Sequence, residues 1–208
     1  FYPMYIIVRN LTDGANTVPL VNMTEQNTGC IHDYTLTTND MKKIENADIF
    51  IQNGLGLEIF MDKIFTIYPN LKVLDASINI KNVIKEDEVN PHVWTSIENY
   101  INQVKEISQV LIQQNSENKQ IYEENTEKYI KDLEKVEKQY EEISQELNGQ
   151  KAICLNEALE YLAKDIKLEY ISLHTDHDEN SMSAESIKNI INKMNTENIK
   201  IILIGKDD

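Results

Sequence analysis

From Ser96 to Leu147 the chain contains neither glycine nor proline, and its apolar residues return at helical spacing. Ile97, Ile101, Val104, Ile107 and Leu111 mark one helix, and a polar break follows at Asn115-Ser116. Ile121, Tyr122, Tyr129, Leu133, Val136, Tyr140, Ile143 and Leu147 mark a second. Asn148-Gly149 supplies its stop, because these residues accept the left-handed backbone that ends a helix. About thirty residues at 1.5 Å each give roughly 45 Å, long enough to bridge two lobes. A coiled coil is the other reading of such a run, but the aromatic stripe and the lack of a strict a/d heptad argue against it.

On both sides of this run the pattern alternates between strand and helix. Pro3 to Leu11 predicts a short helix, and Val18 to Met23 a strand whose Pro19 belongs at its start or on an edge. Thr37 with Asp40 forms a capping-box signal for a helix reaching about Asn46. Asp48 to Gln52 reads as a buried strand closed by Asn53-Gly54, Glu58 to Tyr68 as a helix stopped by Pro69, and Leu71 to Asp75 as a further strand. Thr95 with Glu98 repeats the capping signal ahead of the long run.

Beyond the run, Lys151 to Leu155, Tyr170 to Leu173 and Lys200 to Ile204 read as strands. Helices are expected from Glu157 to Ile166 and from Ser183 to about Met194. Strands alternating with helices imply parallel sheets covered on both faces. The fold class expected is therefore α/β, with two parallel-sheet lobes joined by one long backbone helix. Residues 1–115 form the N-terminal lobe, 116–148 the linking helix and 149–208 an incomplete C-terminal lobe, and both chain ends read as truncated.

With 208 residues, 41% of them apolar, the chain can bury a real core. A formal charge of −15 with no basic patch argues against nucleic acid and anionic membrane surfaces. No run approaches the roughly 20 apolar residues needed to span a bilayer, so membrane association is expected only through a lipid anchor that this chain does not contain. Cys30 and Cys154 fit no CxxC pattern, and a disulfide between them stays open.

The chain has four histidines. Two lie in short turn-prone segments ahead of helical patterns, in Gly29-Cys30-Ile31-His32-Asp33-Tyr34 and in Asn90-Pro91-His92-Val93-Trp94. In parallel α/β sheets, ligand sites gather outside the carboxyl ends of the strands, where such loops lie. Imidazole is the commonest side-chain metal ligand, so His32 and His92 are candidate ligands on one rim.

Two α/β lobes joined by one long helix, with a His ahead of each of two N-lobe helices, resemble the metal-binding lipoproteins of bacterial ABC importers for zinc and manganese. His32-Asp33-Tyr34 followed by Thr37 and Asp40 is similar to that family's first ligand loop. Asn53-Gly54-Leu55-Gly56-Leu57-Glu58 is similar to its glycine-containing turn, and Asn90-Pro91-His92-Val93-Trp94 to its second ligand motif. The resemblance covers nearly the whole chain, with the family's first strand and last few elements missing. It implies an extracytoplasmic solute-binding protein, a cell-surface lipoprotein or periplasmic, that captures a divalent metal between its lobes and passes it to an ABC permease. Zn2+ is expected ahead of Mn2+.

Carried over by the resemblance, the first two ligands are His32 and His92, and the third falls on Asn156, or on Glu157 if the register slips by one. Here the chain departs from the family, which usually has His or Glu at that junction. Asn is among the best N-caps at a strand-to-helix junction. As a neutral hard donor its amide oxygen suits manganese better than zinc. His174 and His177, in a polar loop after a strand, are further candidates, and a fourth ligand is expected near or beyond Asp208. Because imidazole ligands must be unprotonated, affinity is expected to fall below about pH 6.5.

Two other classes remain open. A metal-dependent hydrolase could use two His and a carboxylate, but the chain has no HExxH, no GxSxG and no evident His-carboxylate base. An interaction protein could dock partners on the long helix without any metal.

Overall fold

Apolar residues spaced three and four apart place the first helix against a sheet. In α1 (Tyr2–Leu11), Met4, Ile7, Val8 and Leu11 are buried, forming one stripe along its length. The computed structural model describes residues 1–16, 19–24, 31, 34–85, 88–173 and 183–205. It divides into two units, residues 1–94 with 98–134 and residues 95–97 with 135–208.

In the first unit, α2 (Thr38–Glu45) opens with the expected capping box. The Asp40 amide donates to Thr37 Oγ1 at 3.2 Å, and the Thr37 amide donates back to Asp40 Oδ2 at 2.9 Å. Strand β1 (Ile49–Gln52) pairs in parallel with β2 (Lys72–Asp75), Ile49 opposite Lys72 and Gln52 opposite Asp75. Side chains alternate across a strand. Ile49 and Ile51 accordingly pack on the α1 side with Leu74, Val104, Ile107 and Tyr122, whereas Phe50 packs with Ile44, Met61 and Ile64. The latter two flank the start of α3 (Asp62–Ile67), which is entered through a 3-10 turn at Ile59–Met61.

The run free of Gly and Pro forms α4 (Ile97–Gln114) and α5 (Lys119–Leu147), with a 3-10 turn at Ser116–Asn118 at the polar break. Helix α5 has 29 residues and ends with Asn148 and Gly149 at φ 46 and 68, the left-handed stop that the sequence predicts.

In the second unit, β3 (Lys151–Cys154) lies between β4 (Glu169–Ser172) and β5 (Ile201–Leu203), both parallel to it. Ala152 faces Ala163 of α6 (Glu160–Asp165), Ile166 and Leu168. Ile153 faces the opposite way, toward Ile190 of α7 (Ala184–Glu197) and Ile199. The Asp165 carboxylate at the end of α6 holds the short segment 95–97, accepting from the Ile97 amide at 2.8 Å and from Ser96 Oγ at 3.2 Å.

Two expectations change. Residues 19–24 form no strand: the Asn22 and Met23 carbonyls accept from Lys43 Nζ at 3.2 and 2.6 Å instead of joining a ladder. The helices expected over 58–68 and 157–166 both begin as 3-10 turns, so only their second halves are α-helical. No helix among the described residues is long and apolar enough to cross a membrane.

Candidate metal centre

His92 is held by the residue two positions before it. The stretch after β2 closes on itself through an antiparallel bridge between Lys85 and Val89 and through the Asn90 amide donating to the Ile84 carbonyl at 3.0 Å. Asn90 then emerges at the foot of Pro91-His92. Its Oδ1 accepts from the His92 backbone N–H at 3.0 Å and lies 2.9 Å from His92 Nδ1.

That shared acceptor fixes the chemistry of the ring. An oxygen already facing a backbone N–H cannot be the amide NH2 group, and an amide oxygen only accepts. Nδ1 therefore carries a proton, and in the neutral ring Nε2 is the acceptor nitrogen. A metal-ligating His characteristically donates its other ring N–H in this manner, which sets both tautomer and orientation. His92 is 8% exposed, and its ring centroid rests 5.0 Å from that of Trp94, which in turn meets Phe1 edge-on at 4.7 Å.

The backbone below the ring is held from the other side. Asn53, fully buried after β1, donates through Nδ2 to the Pro91 carbonyl at 2.9 Å and to the Gly54 carbonyl at 3.0 Å. Its Oδ1 accepts from Gln103 Nε2 at 2.9 Å. The Asn53 and Gly54 amides donate to the Glu58 carboxylate at 2.7 and 3.2 Å. Burial pushes the Glu58 carboxyl above its ordinary range, and those two backbone donors act against the shift. Gly54 sits at φ 88 where any Cβ would run into the Asp75 carboxylate and the Ser77 hydroxyl, so this turn admits only glycine.

The sequence-predicted ligands do not all fall within view. His32, His174 and His177 lie outside the described residues, as does Cys30. The Cys154 thiol is buried and free, donates toward the Asn156 carbonyl at 3.2 Å, and is pushed up to about 11, chiefly by burial. Asn156 caps the 3-10 turn Glu157–Leu159, its Oδ1 accepting from the Ala158 amide at 2.9 Å. Glu157, half-buried, lies in the first turn after that cap. Among the described residues no three His, Cys, Asp or Glu side chains gather into a metal-holding group.

Asn90 and Asn53 belong to motifs legible in the sequence, but their tasks were not. An Asx turn in Asn-Pro-His was the available signal for Asn90. Gln103 was missed altogether. Its mark is a polar residue four positions before Ile107 and eight before Leu111, on the apolar stripe of α4.

The matching family model is the periplasmic zinc-uptake complex component A, over residues 1–207. The chain is 25% identical over 222 residues to the high-affinity zinc uptake system protein ZnuA of Bacillus subtilis, covering 97% of this chain and 68% of that protein. It is 29% identical over 101 residues to the manganese-binding lipoprotein MntA of Halalkalibacterium halodurans, covering 48% of this chain and 34% of that one. Among solved structures, the metal-dependent lipoprotein YcdH from Bacillus subtilis superimposes with a TM-score of 0.82 at 25% identity, covering 97% of this chain and 75% of that chain. The fold is thus that of these binding proteins, parallel sheets with one long helix.

Proposed function

The chain belongs to the family of periplasmic zinc-uptake components, whose relatives include zinc- and manganese-binding proteins, and from that premise we propose that it captures a divalent transition metal and hands it to an ABC permease. The family is extracytoplasmic and made of substrate-binding transport proteins, not enzymes. The metal is cargo. The observation that carries the proposal is the Asn90 lock, which holds a proton on Nδ1 of a buried imidazole in the Asn-Pro-His turn, so that the neutral ring has Nε2 as its acceptor nitrogen. A neutral imidazole in that state is the form a zinc or manganese ion requires.

His92 and His32 are the principal proposed ligands. Asn156 enters as a neutral oxygen donor whose Oδ1 is shared with the cap on Ala158. Such an oxygen favours the harder manganese, while the two imidazoles favour zinc, and we place Zn2+ first with Mn2+ as the alternative.

The chain itself acts by binding and orienting. Asn90 holds the proton on Nδ1, Asn53 holds the Pro91-His92 peptide, and Trp94 packs against the ring. No bond in the cargo is broken, so neither a general base nor a nucleophile is required. Calorimetry on metal-stripped protein tests this: His92→Ala and His32→Ala should each weaken zinc and manganese binding by at least about 100-fold, more than the loss of an outer-shell partner brings. Binding equal to the parent in both variants refutes the proposal.

A further inference from the structure

We infer that the buried amide pair Gln103–Asn53 is a positioning relay for His92, running from the middle of α4 to the peptide that carries the imidazole. For its metal readout the inference rests on the proposed cation-binding role of His92. For the rest it stands on the geometry of the loop.

Pro91 and His92 share one peptide plane, gripped at both ends: Asn53 Nδ2 donates to its carbonyl at 2.9 Å, and Asn90 Oδ1 accepts from its N–H at 3.0 Å. The direction of the amides follows from their partners. The Pro91 and Gly54 carbonyls only accept, so Asn53 must turn its NH2 group to them and its oxygen to Gln103. Gln103 must then present its NH2 group to Asn53.

That orientation leaves Gln103 Oε1 buried and without a hydrogen-bond partner among the described residues. A buried polar atom in this state disfavours the fold; a thioether of similar length removes it but takes the donor from the buried Asn53 Oδ1, so one orphaned oxygen replaces another. Gln103 is fully buried, and the one hydrogen bond its amide makes among the described residues goes to Asn53. The residue is therefore explained by what Asn53 does next, which is to fix the peptide under the imidazole. Buried amides near a proposed ligand act on it through orientation; neither Gln103 nor Asn53 is itself a donor to the ion.

The test uses the full chain and Gln103→Met, with Gln103→Leu as the second variant. Amide exchange by NMR, read residue by residue, and competition for zinc and for manganese against a chelator are measured beside thermal unfolding without added metal. The relay predicts about tenfold faster exchange of the His92 amide, about tenfold weaker metal binding as for other outer-shell partners, and an unfolding temperature within a few degrees of the parent's, since one orphaned buried oxygen replaces another. Unchanged His92 exchange overturns it. So does exchange that quickens alike across the whole first unit with a lower unfolding temperature, which marks Gln103 as a general packing residue. In the parent alone, rapid exchange of the Asn53 side-chain amide protons also overturns it. A parent that binds neither metal refutes the metal reading, and the exchange arm still decides the relay.

Discussion

The two units repeat one construction and use it differently. In the first, β1 ends at Gln52 and Asn53 leads through a 3-10 turn into α3. In the second, β3 ends at Cys154 and Asn156 leads through a 3-10 turn into α6. Asn53 sends its amide away from its own turn, to the carbonyl of Pro91 and the side chain of Gln103. Asn156 folds its amide back onto Ala158. The first asparagine organises a distant loop, and the second completes the helix it precedes. Residue type is the same but the place differs: Asn53 follows its strand directly and stands six residues before its 3-10 turn, where Glu58 takes the amides of Asn53 and Gly54, whereas Asn156 immediately precedes its turn and caps it.

The sharpest way to break this contrast is at the turns. Gly54→Ala should cost on the order of 3 kcal/mol, because the new Cβ meets the Asp75 carboxylate at a positive φ. Leu155→Ala in the second turn should cost no more than about 2 kcal/mol, as its side chain is half-buried. Denaturant titration of both variants checks the order; equal costs would mean the first turn is not the more constrained.

Next in size is Asn90→Ala. Removing the acceptor of Nδ1 should weaken metal binding by about 10- to 100-fold. Asn156→Ala, its counterpart in the second unit, should lower stability by about 1 kcal/mol through the lost cap. Its zinc affinity should stay within about threefold and its manganese affinity should fall somewhat more. A hundredfold loss of zinc binding in Asn156→Ala would make it a full ligand and erase the contrast.

The smallest effect expected is acid sensitivity. Burial pushes the Asp40 carboxyl upward, but hydrogen bonds from Thr37 and Tyr34 and the nearby Lys43 ammonium outweigh it and hold the pKa below the usual value. A carboxyl lowered on folding contributes stability that is present above about pH 4, its unfolded value, and is lost as pH falls through the folded one. The melting temperature should therefore drop below about pH 4 by an amount that shrinks in Asp40→Asn. The second unit's Lys151 pairs with Glu169 and Glu197 are solvent-exposed, so neutralising them should change little.

Much of this was legible in the chain. Periodicity located α1 and α4, which bury continuous stripes, and apolar spacing and short apolar runs located α5 and the five strands, although most of these are only partly buried. The Thr37 capping box and the Asn148-Gly149 stop were legible because their chemistry is local. The Val18 to Met23 strand was not, because an apolar run says nothing of whether a lysine will take its carbonyls. His92 could be picked out as a candidate from its turn, but the tautomer that suits it to a cation depends on a side-chain oxygen that sequence does not orient. Gln103 lay hidden because its role exists only through Asn53, fifty positions away.

The central claim is that His92 presents Nε2 to a divalent cation. Anomalous scattering at the zinc and manganese edges, from crystals grown with each metal, tests it most directly. A single strong peak is expected about 2.0 to 2.1 Å from His92 Nε2 in the zinc crystals, with Nδ1 still on Asn90. A peak elsewhere, with His92 Nε2 bonded only to protein, contradicts it.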